Sequence, residues 1–228
     1  MIQFEHITKN YSQNQSALDN ISLKIASGEF VFIVGPSGAG KSTLLKLITR
    51  EIMPTSGKIL VEDEDILRLP ESKIPALRRK IGTVFQDFKL LLNRTVFENV
   101  AVPLEVLGKR DPQVEKEVAS VLEKVGLLEK AESFPAQLAG GEVQRTSIAR
   151  AIVGKPKVLL ADEPTADLDP KTALEVIELL ERINKDDKTT LIMATHNAAI
   201  VNHFKKRVVT LKKGKIEKDE KVGSYDSD

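Results

Sequence analysis

The sequence predicts an α/β fold, and three observations carry that prediction. Apolar runs of strand length, Phe30-Val31-Phe32-Ile33-Val34, Val158 to Ala161 and Thr190 to Ala194, recur at wide spacing, as expected for strands covered on both faces of a parallel sheet. Stretches of helical periodicity separate them, Thr172 to Asn184 among them, and strands alternating with helices make an α/β domain. A glycine-rich turn joins the first run to a helix. A chain of 228 residues suits one domain with an inserted subdomain better than two domains.

The elements follow in order. Ile2 to Ile7 reads as a strand, the polar Ser12-Gln13-Asn14-Gln15 as a loop, and the alternating Leu18, Ile21, Leu23 and Ile25 as a second strand, giving an N-terminal antiparallel β edge. Glu29 to Val34 is a buried strand. Lys41 to about Arg50 is a helix whose buried stripe is Leu44, Leu45, Leu47 and Ile48. Ile81 to Phe85 is another strand, and from Asp87 to Leu138 the periodicity is helical, through Val96, Val100, Val114, Val118 and Leu122. We therefore expect a core of residues 1–86 and 156–228 with a helical subdomain, residues 87–155, inserted into it. From Arg207 two short strands flank the Lys213-Gly214 turn, and the charged tail from Lys218 to Asp228 is expected to fray.

Composition narrows the function. Lys and Arg number 34 against 33 Asp and Glu, for a net charge of +1, with 41% apolar and 29% charged residues. That balance argues against a disordered chain and against a general nucleic-acid binder. Without cysteine there is neither a disulfide framework nor a thiolate metal site, which fits a reducing compartment. The first residues lack the pattern of a secretory signal. Every apolar run is far shorter than the roughly 18 residues that span a bilayer.

Gly35-Pro36-Ser37-Gly38-Ala39-Gly40-Lys41-Ser42-Thr43 fits G-x-x-x-x-G-K-[ST] between a strand and a helix. By chance the pattern arises in roughly one chain in a hundred of this length, and the strand–loop–helix setting makes it rarer. Glycines let backbone N–H groups converge on phosphate oxygens, and the helix N-terminus adds partial positive charge. Lys41 is then expected on the β- and γ-phosphates and Ser42 on Mg²⁺, so the chain is expected to bind a nucleoside triphosphate. Asp162 and Glu163 close the buried strand that starts at Val158, at the sheet edge where ligands lie. Asp162 is expected to support Mg²⁺ and Glu163 to orient or deprotonate the attacking water; the plainer reading makes both acids helix caps before Pro164. Gln86, after its strand, can ligate Mg²⁺ and sense the γ-phosphate. His196, after the strand from Thr190, is expected to donate to the γ-phosphate or orient the water. Tyr11, placed in the loop after the first strand, either stacks on a purine ring or has no ligand; spacing leaves both open. Leu138-Ala139-Gly140-Gly141-Glu142-Val143-Gln144-Arg145 opens another helix. Its paired glycines form either a structural turn or a second anion cradle that serves the nucleotide of a second copy.

Taken together, these residues resemble the ABC (ATP-binding cassette) ATPases over nearly the whole chain. The phosphate loop, Gln86 in the Q-loop, the signature at Leu138 to Arg145, Asp162-Glu163, the D-loop Ala166-Asp167-Leu168-Asp169 and His196 all occur in family order. The resemblance implies an ABC-type P-loop fold and a head-to-tail homodimer that hydrolyses two MgATP. It places Ala139, Gly140, Gly141 and Glu142 of one copy at the γ-phosphate held by the other, assigns Asp169 to the D-loop, and makes Tyr11 the adenine-stacking residue. Val84 to Leu91 and Thr95 to Val106 are similar to the bacterial cell-division branch of the family. In that branch the ATPase lies on the cytoplasmic face of the cell membrane with the integral membrane protein FtsX and controls cell-wall hydrolases. Lipoprotein-releasing and macrolide-export cassettes share most of these motifs. The stretch Phe88-Lys89-Leu90-Leu91-Leu92 reads either as a docking site for the membrane partner or as core of the helical subdomain. Three positions depart from the family pattern: Ala139 stands where Ser is usual, Val143 where Gln is, and Asn197 where Asp is. Loss of a hydroxyl that donates to a charged group costs about 1.5–3 kcal/mol, so the family reading carries a weakly hydrolysing, nucleotide-gated scaffold as its alternative.

Overall fold

The structure, a computed structural model, describes residues 1–12 and 15–226. Gln13 and Asn14, at the centre of the expected polar loop, lie outside the described residues, as do Ser227 and Asp228 at the end of the tail.

Two sheets form the framework. The first is antiparallel, in the order β2-β1-β4-β5, from β1 (Ile2–Ser12), β2 (Gln15–Ile25), β4 (Ser56–Val61) and β5 (Glu64–Asp65). The step of three between Leu18 and Ile21 breaks a period of two, and the structure shows why: Asn20 takes a left-handed φ of 53° and the register with β1 shifts there. β1 runs past Ile7 to Ser12, so Tyr11 lies in a strand and not in a loop. β4 and β5 come from a stretch where the sequence shows no strand signal, because β4 opens on the polar Ser56-Gly57-Lys58.

The second sheet has the order β10-β9-β3-β8-β7-β6. Its strands are β3 (Phe30–Val34), β6 (Ile81–Val84), β7 (Val158–Asp162), β8 (Thr190–Thr195), β9 (Arg207–Lys212) and β10 (Lys215–Glu220). β9, β3, β8, β7 and β6 pair in parallel, and β10 adds an antiparallel edge. The uninterrupted apolar runs follow from burial on both faces. Phe30, Phe32, Val34, Leu159, Ala161, Leu191 and Met193 point into one core, shared with α3 (Val96–Val106), α4 (Asp111–Lys124), α5 (Gly140–Ile152) and α6 (Pro170–Asp187). Val31, Ile33, Val158, Leu160, Ile192 and Ala194 point into the other, shared with the antiparallel sheet and α1 (Lys41–Ile48). Strand alternation thus makes the parallel sheet the middle of three layers.

α2 (Ile74–Arg79) and α7 (Ala198–Phe204) are short helices that the periodicity does not reveal. The tail is the larger correction. Lys218 to Glu220 belong to β10, and Asn202 of α7 binds the backbone of Tyr225 twice, accepting from its N–H at 2.8 Å and donating to its carbonyl at 3.0 Å. Up to Asp226 the tail is therefore docked on the domain.

Candidate functional site

The site forms at the C-terminal edge of the parallel sheet, and strand register assembles it. Val34 pairs with Thr195 and with Thr210, Asp162 with Ala194, and Val84 with Ala161. The residues that leave these strands, Gly35, His196, Glu163 and Gln86, are therefore brought to one edge. They line a cleft of about 980 Å³ with the phosphate loop from Pro36 to Thr43 and with Tyr11.

The loop wraps around its own lysine. Gly35 and Gly40 hold φ values of 145° and 107°. A Cβ on Gly35 would overlap the Leu211 carbonyl oxygen, and one on Gly40 would stand 2.5 Å from the Ala17 carbonyl oxygen, so only glycine fits at either end. Lys41, 8% exposed, donates to the carbonyls of Gly35 at 2.8 Å and Pro36 at 3.3 Å, and its ammonium lies 3.7 Å from Glu163 Oε1. A lysine held in a glycine-rich loop at a helix N-terminus is an anion site.

Glu163 sits just past the end of β7 in the left-handed region, φ 46°, and its N–H extends the ladder to the Ala194 carbonyl at 2.9 Å. This turn aims its carboxylate at His196, whose Nδ1 lies 2.8 Å from Oε1. A carboxylate accepts only, so Nδ1 carries the hydrogen and donates it, and the other ring nitrogen, Nε2, is not used by this bond. Asp162 is half-buried beside Ser42, and its Oδ1, which is buried, has no hydrogen-bond partner. Burial pushes its carboxyl above the usual range, against the opposing pull of the Ser42 hydrogen bond. An orphaned carboxylate oxygen next to a hydroxyl is a hard-oxygen donor set of the kind Mg²⁺ takes. Gln86 is exposed in the same cleft. Tyr11, 54% exposed, reaches the loop through its hydroxyl, 3.4 Å from Thr43 Oγ1.

The structure keeps the remaining expected site residues apart from this cleft. Ala139 and Gly140 are exposed at the start of α5, and Ala139 makes no side-chain cap. Glu142 accepts the Ala139 N–H at 2.9 Å. Asp169 caps α6 by accepting the N–H groups of Lys171 and Thr172, each at 3.1 Å. The two helix starts touch: a Cβ on Gly141 would come 2.5 Å from Thr172 Cγ2. Within one chain the glycine turn and the capped aspartate thus form a second surface, away from the phosphate loop. Sequence reading also missed part of the cleft, since Thr210, Lys212, Glu217, Ser224, Tyr225 and Asp226 line it as well. Only the pairing of β9 beside β3 and the docking of the tail bring them there.

The family model for the ABC transporter matches residues 18–166. The chain belongs to the ABC transporter family. Relatives of this ABC ATPase include the cell division ATP-binding protein FtsE of Bacillus subtilis, 53% identical over 227 residues, with 100% of this chain and 99% of the relative covered. FtsE of Escherichia coli K12 is 46% identical over 216 residues, covering 95% and 97%. Among solved structures, the dimeric post-hydrolysis state of the ATP-binding cassette MJ0796 bound to ADP and Pi superimposes with a TM-score of 0.87 at 36% identity, over 99% of this chain and all of that one. No helix among the described residues of this ABC ATPase is long and apolar enough to cross a membrane.

Proposed function

We propose that this chain is the ATP-hydrolysing subunit of a cell-division ABC complex, working as a head-to-tail homodimer with an integral membrane partner of the FtsX type. The observation that carries this reading is the cluster of Lys41, Glu163 and His196 on one sheet edge, beside an unpartnered Asp162 oxygen. Similarity to proteins named for cell division and ATP binding supports the biological role.

ATP would lie with Tyr11 against its base and its phosphates on the N–H groups of residues 35–43. Lys41 would exchange its loop carbonyls for β- and γ-phosphate oxygens. Ser42, Gln86 and Asp162 would hold Mg²⁺, which supplies charge neutralisation at the phosphates. Glu163 would take the proton of the water that attacks in line, while the P–O bond to ADP breaks and phosphate leaves. Held through Nδ1, His196 would accept from that water at Nε2, or donate to the γ-phosphate once protonated. One chain leaves the γ-phosphate open on the side away from its own loop. The turn from Ala139 to Glu142, with Asp169 beside it, would close that side from a second copy, as the dimeric likeness of the MJ0796 cassette suggests. ATP then favours the closed pair and its hydrolysis releases it.

Residues 87–155 would act as the lobe that carries this closing surface on the core of residues 1–86 and 156–228, because α3, α4 and α5 pack on one another. Leu91 and Leu92, in the segment that follows Gln86, are exposed, and the membrane partner would dock there, placing the subunit at the cytoplasmic face of the cell membrane and passing closure outward to cell-wall hydrolases. The missing cap at Ala139 supports a second reading, a scaffold that binds ATP and turns it over slowly. Co-purification from detergent with an FtsX-type subunit, followed by ATPase assays with and without it, separates the readings. Turnover stimulated in the complex supports the motor, a stable complex with flat turnover supports the scaffold, and no complex overturns the cell-division assignment.

A further inference from the structure

The segment after Gln86 takes an uncommon path. Phe88 and Lys89 are consecutive non-glycine residues in the left-handed region, with φ of 54° and 48°. Such pairs persist only where the surroundings hold them. The chain beyond them is fixed by Asn99, fully buried, which accepts from Leu91 N–H and donates to the carbonyls of Leu91, Arg94 and Thr95. The kink itself is held from α5. Arg150 donates from Nη1 to the Lys89 carbonyl and from Nη2 to the Phe88 carbonyl, both at 2.7 Å, and Ser147, one turn earlier on the same face, donates to Phe88 at 3.4 Å.

Arg150 is an unusual cation in this protein. Its guanidinium is half-buried, burial alone lowers its affinity for the proton, and among the described residues it has no carboxylate within ion-pair distance. A desolvated guanidinium whose hydrogen bonds go to two adjacent carbonyls is spent on backbone shape, and its planar fork suits two carbonyls as a lysine ammonium does not. α5 is also pressed against β6, the strand that leads to Gln86: a Cβ on Gly82 would overlap the Ala151 carbonyl. One helix therefore begins at the Gly140-Gly141 turn and ends by clamping the exit of the Gln86 strand.

We propose that Arg150 is a positioning residue: by holding the Phe88-Lys89 kink it sets Gln86 in the nucleotide cleft and couples that setting to the helix that starts at the glycine turn. This rests on the reading that Gln86 meets the γ-phosphate and Mg²⁺. In the closed dimer that turn would touch the partner's triphosphate, so α5 would join the nucleotide across the interface to the Gln86 of its own cleft.

The test uses the full chain with Arg150→Lys, Arg150→Ala, Gln86→Ala and the double variant Gln86→Ala/Arg150→Lys. Arg150→Lys is expected to keep the melting temperature and the affinity for Mg-free ATP, to lower kcat at least tenfold, and to speed amide exchange at residues 87–92 while α5 stays protected. Because Arg150 acts through Gln86, the double variant should turn over within twofold of Gln86→Ala alone. Losses that multiply, or exchange at 87–92 that stays as in the native chain, would overturn the proposal. Wild-type turnover in Gln86→Ala is a separate failure: it overturns the assignment of Gln86 itself, with the exchange data still reporting whether Arg150 holds the kink.

Discussion

Glu163 grips His196 at two points, Oε1 lying 2.8 Å from Nδ1 and Oε2 accepting the backbone N–H at 3.3 Å. The two residues are 33 positions apart in the chain. They meet because each follows one of two adjacent parallel strands in matched register, Asp162 opposite Ala194.

That pairing makes Glu163→Gln an informative variant. A glutamine oxygen can still accept from Nδ1–H, so His196 keeps its place while the base is lost. Turnover is expected to fall by about 10²–10⁴-fold, the usual contribution of a general base, with ATP affinity unchanged. Steady-state hydrolysis and equilibrium titration of the same preparation check it, and a variant that turns over like the native chain removes Glu163 from the role of base.

Gly141→Ala drives a methyl into Thr172 Cγ2, from which an added Cβ would be 2.5 Å away. Overpacking of this kind costs about 1–3 kcal/mol, and it would displace the glycine turn relative to α6. ATPase activity and the melting temperature are expected to fall together. Thr172→Ser removes the offending methyl while keeping the hydroxyl that bonds Asp169, so the double variant should recover both. Absence of that recovery would place the defect elsewhere.

Asp162 has a folded-state affinity for its proton raised above the ordinary value by burial. As pH rises through the carboxylate range the unfolded chain ionises first, so the native state loses stability across that window and the loss persists at neutral pH. Asp162→Asn should therefore raise the melting temperature of the nucleotide-free protein at pH 7, with a smaller gain in mild acid. The same variant should lose the stabilisation that Mg²⁺ adds to ATP. Thermal melts across pH, with and without MgATP, test both signs; a neutral-pH melt lower than that of the native chain would contradict the first.

The docked tail makes a further expectation measurable. Ser224, Tyr225 and Asp226 line the cleft and are strapped down through Asn202. Truncation after Gly223 should leave the melting temperature within a few degrees, since the two lost bonds to Asn202 are each worth about 0.5–1.5 kcal/mol, and weaken ATP binding severalfold by removing one wall of the cleft. Unchanged affinity would show the tail to be a bystander.

The sequence by itself determined what local chemistry determines. A strand, a glycine-rich loop and a helix start with lysine at its first position specify an anion cradle without reference to the rest of the chain, and apolar runs free of alternation announce a sheet covered on both faces. Those signals placed Lys41 at the start of α1 and Glu163 and His196 just past the ends of β7 and β8. β4 went unread because its first three residues are polar, and α7 because seven residues are too few for periodicity.

The tertiary structure alone decided which strand ends stand side by side, that the tail lies along α7 and reaches the cleft, and that Arg150 clamps a left-handed kink 61 and 62 residues upstream. The reason is physical. Glycine-rich loop chemistry and apolar periodicity are properties of neighbouring residues, whereas strand register, a positive φ and the partners of a half-buried guanidinium are set by contacts between segments distant in the chain, and no local pattern encodes them.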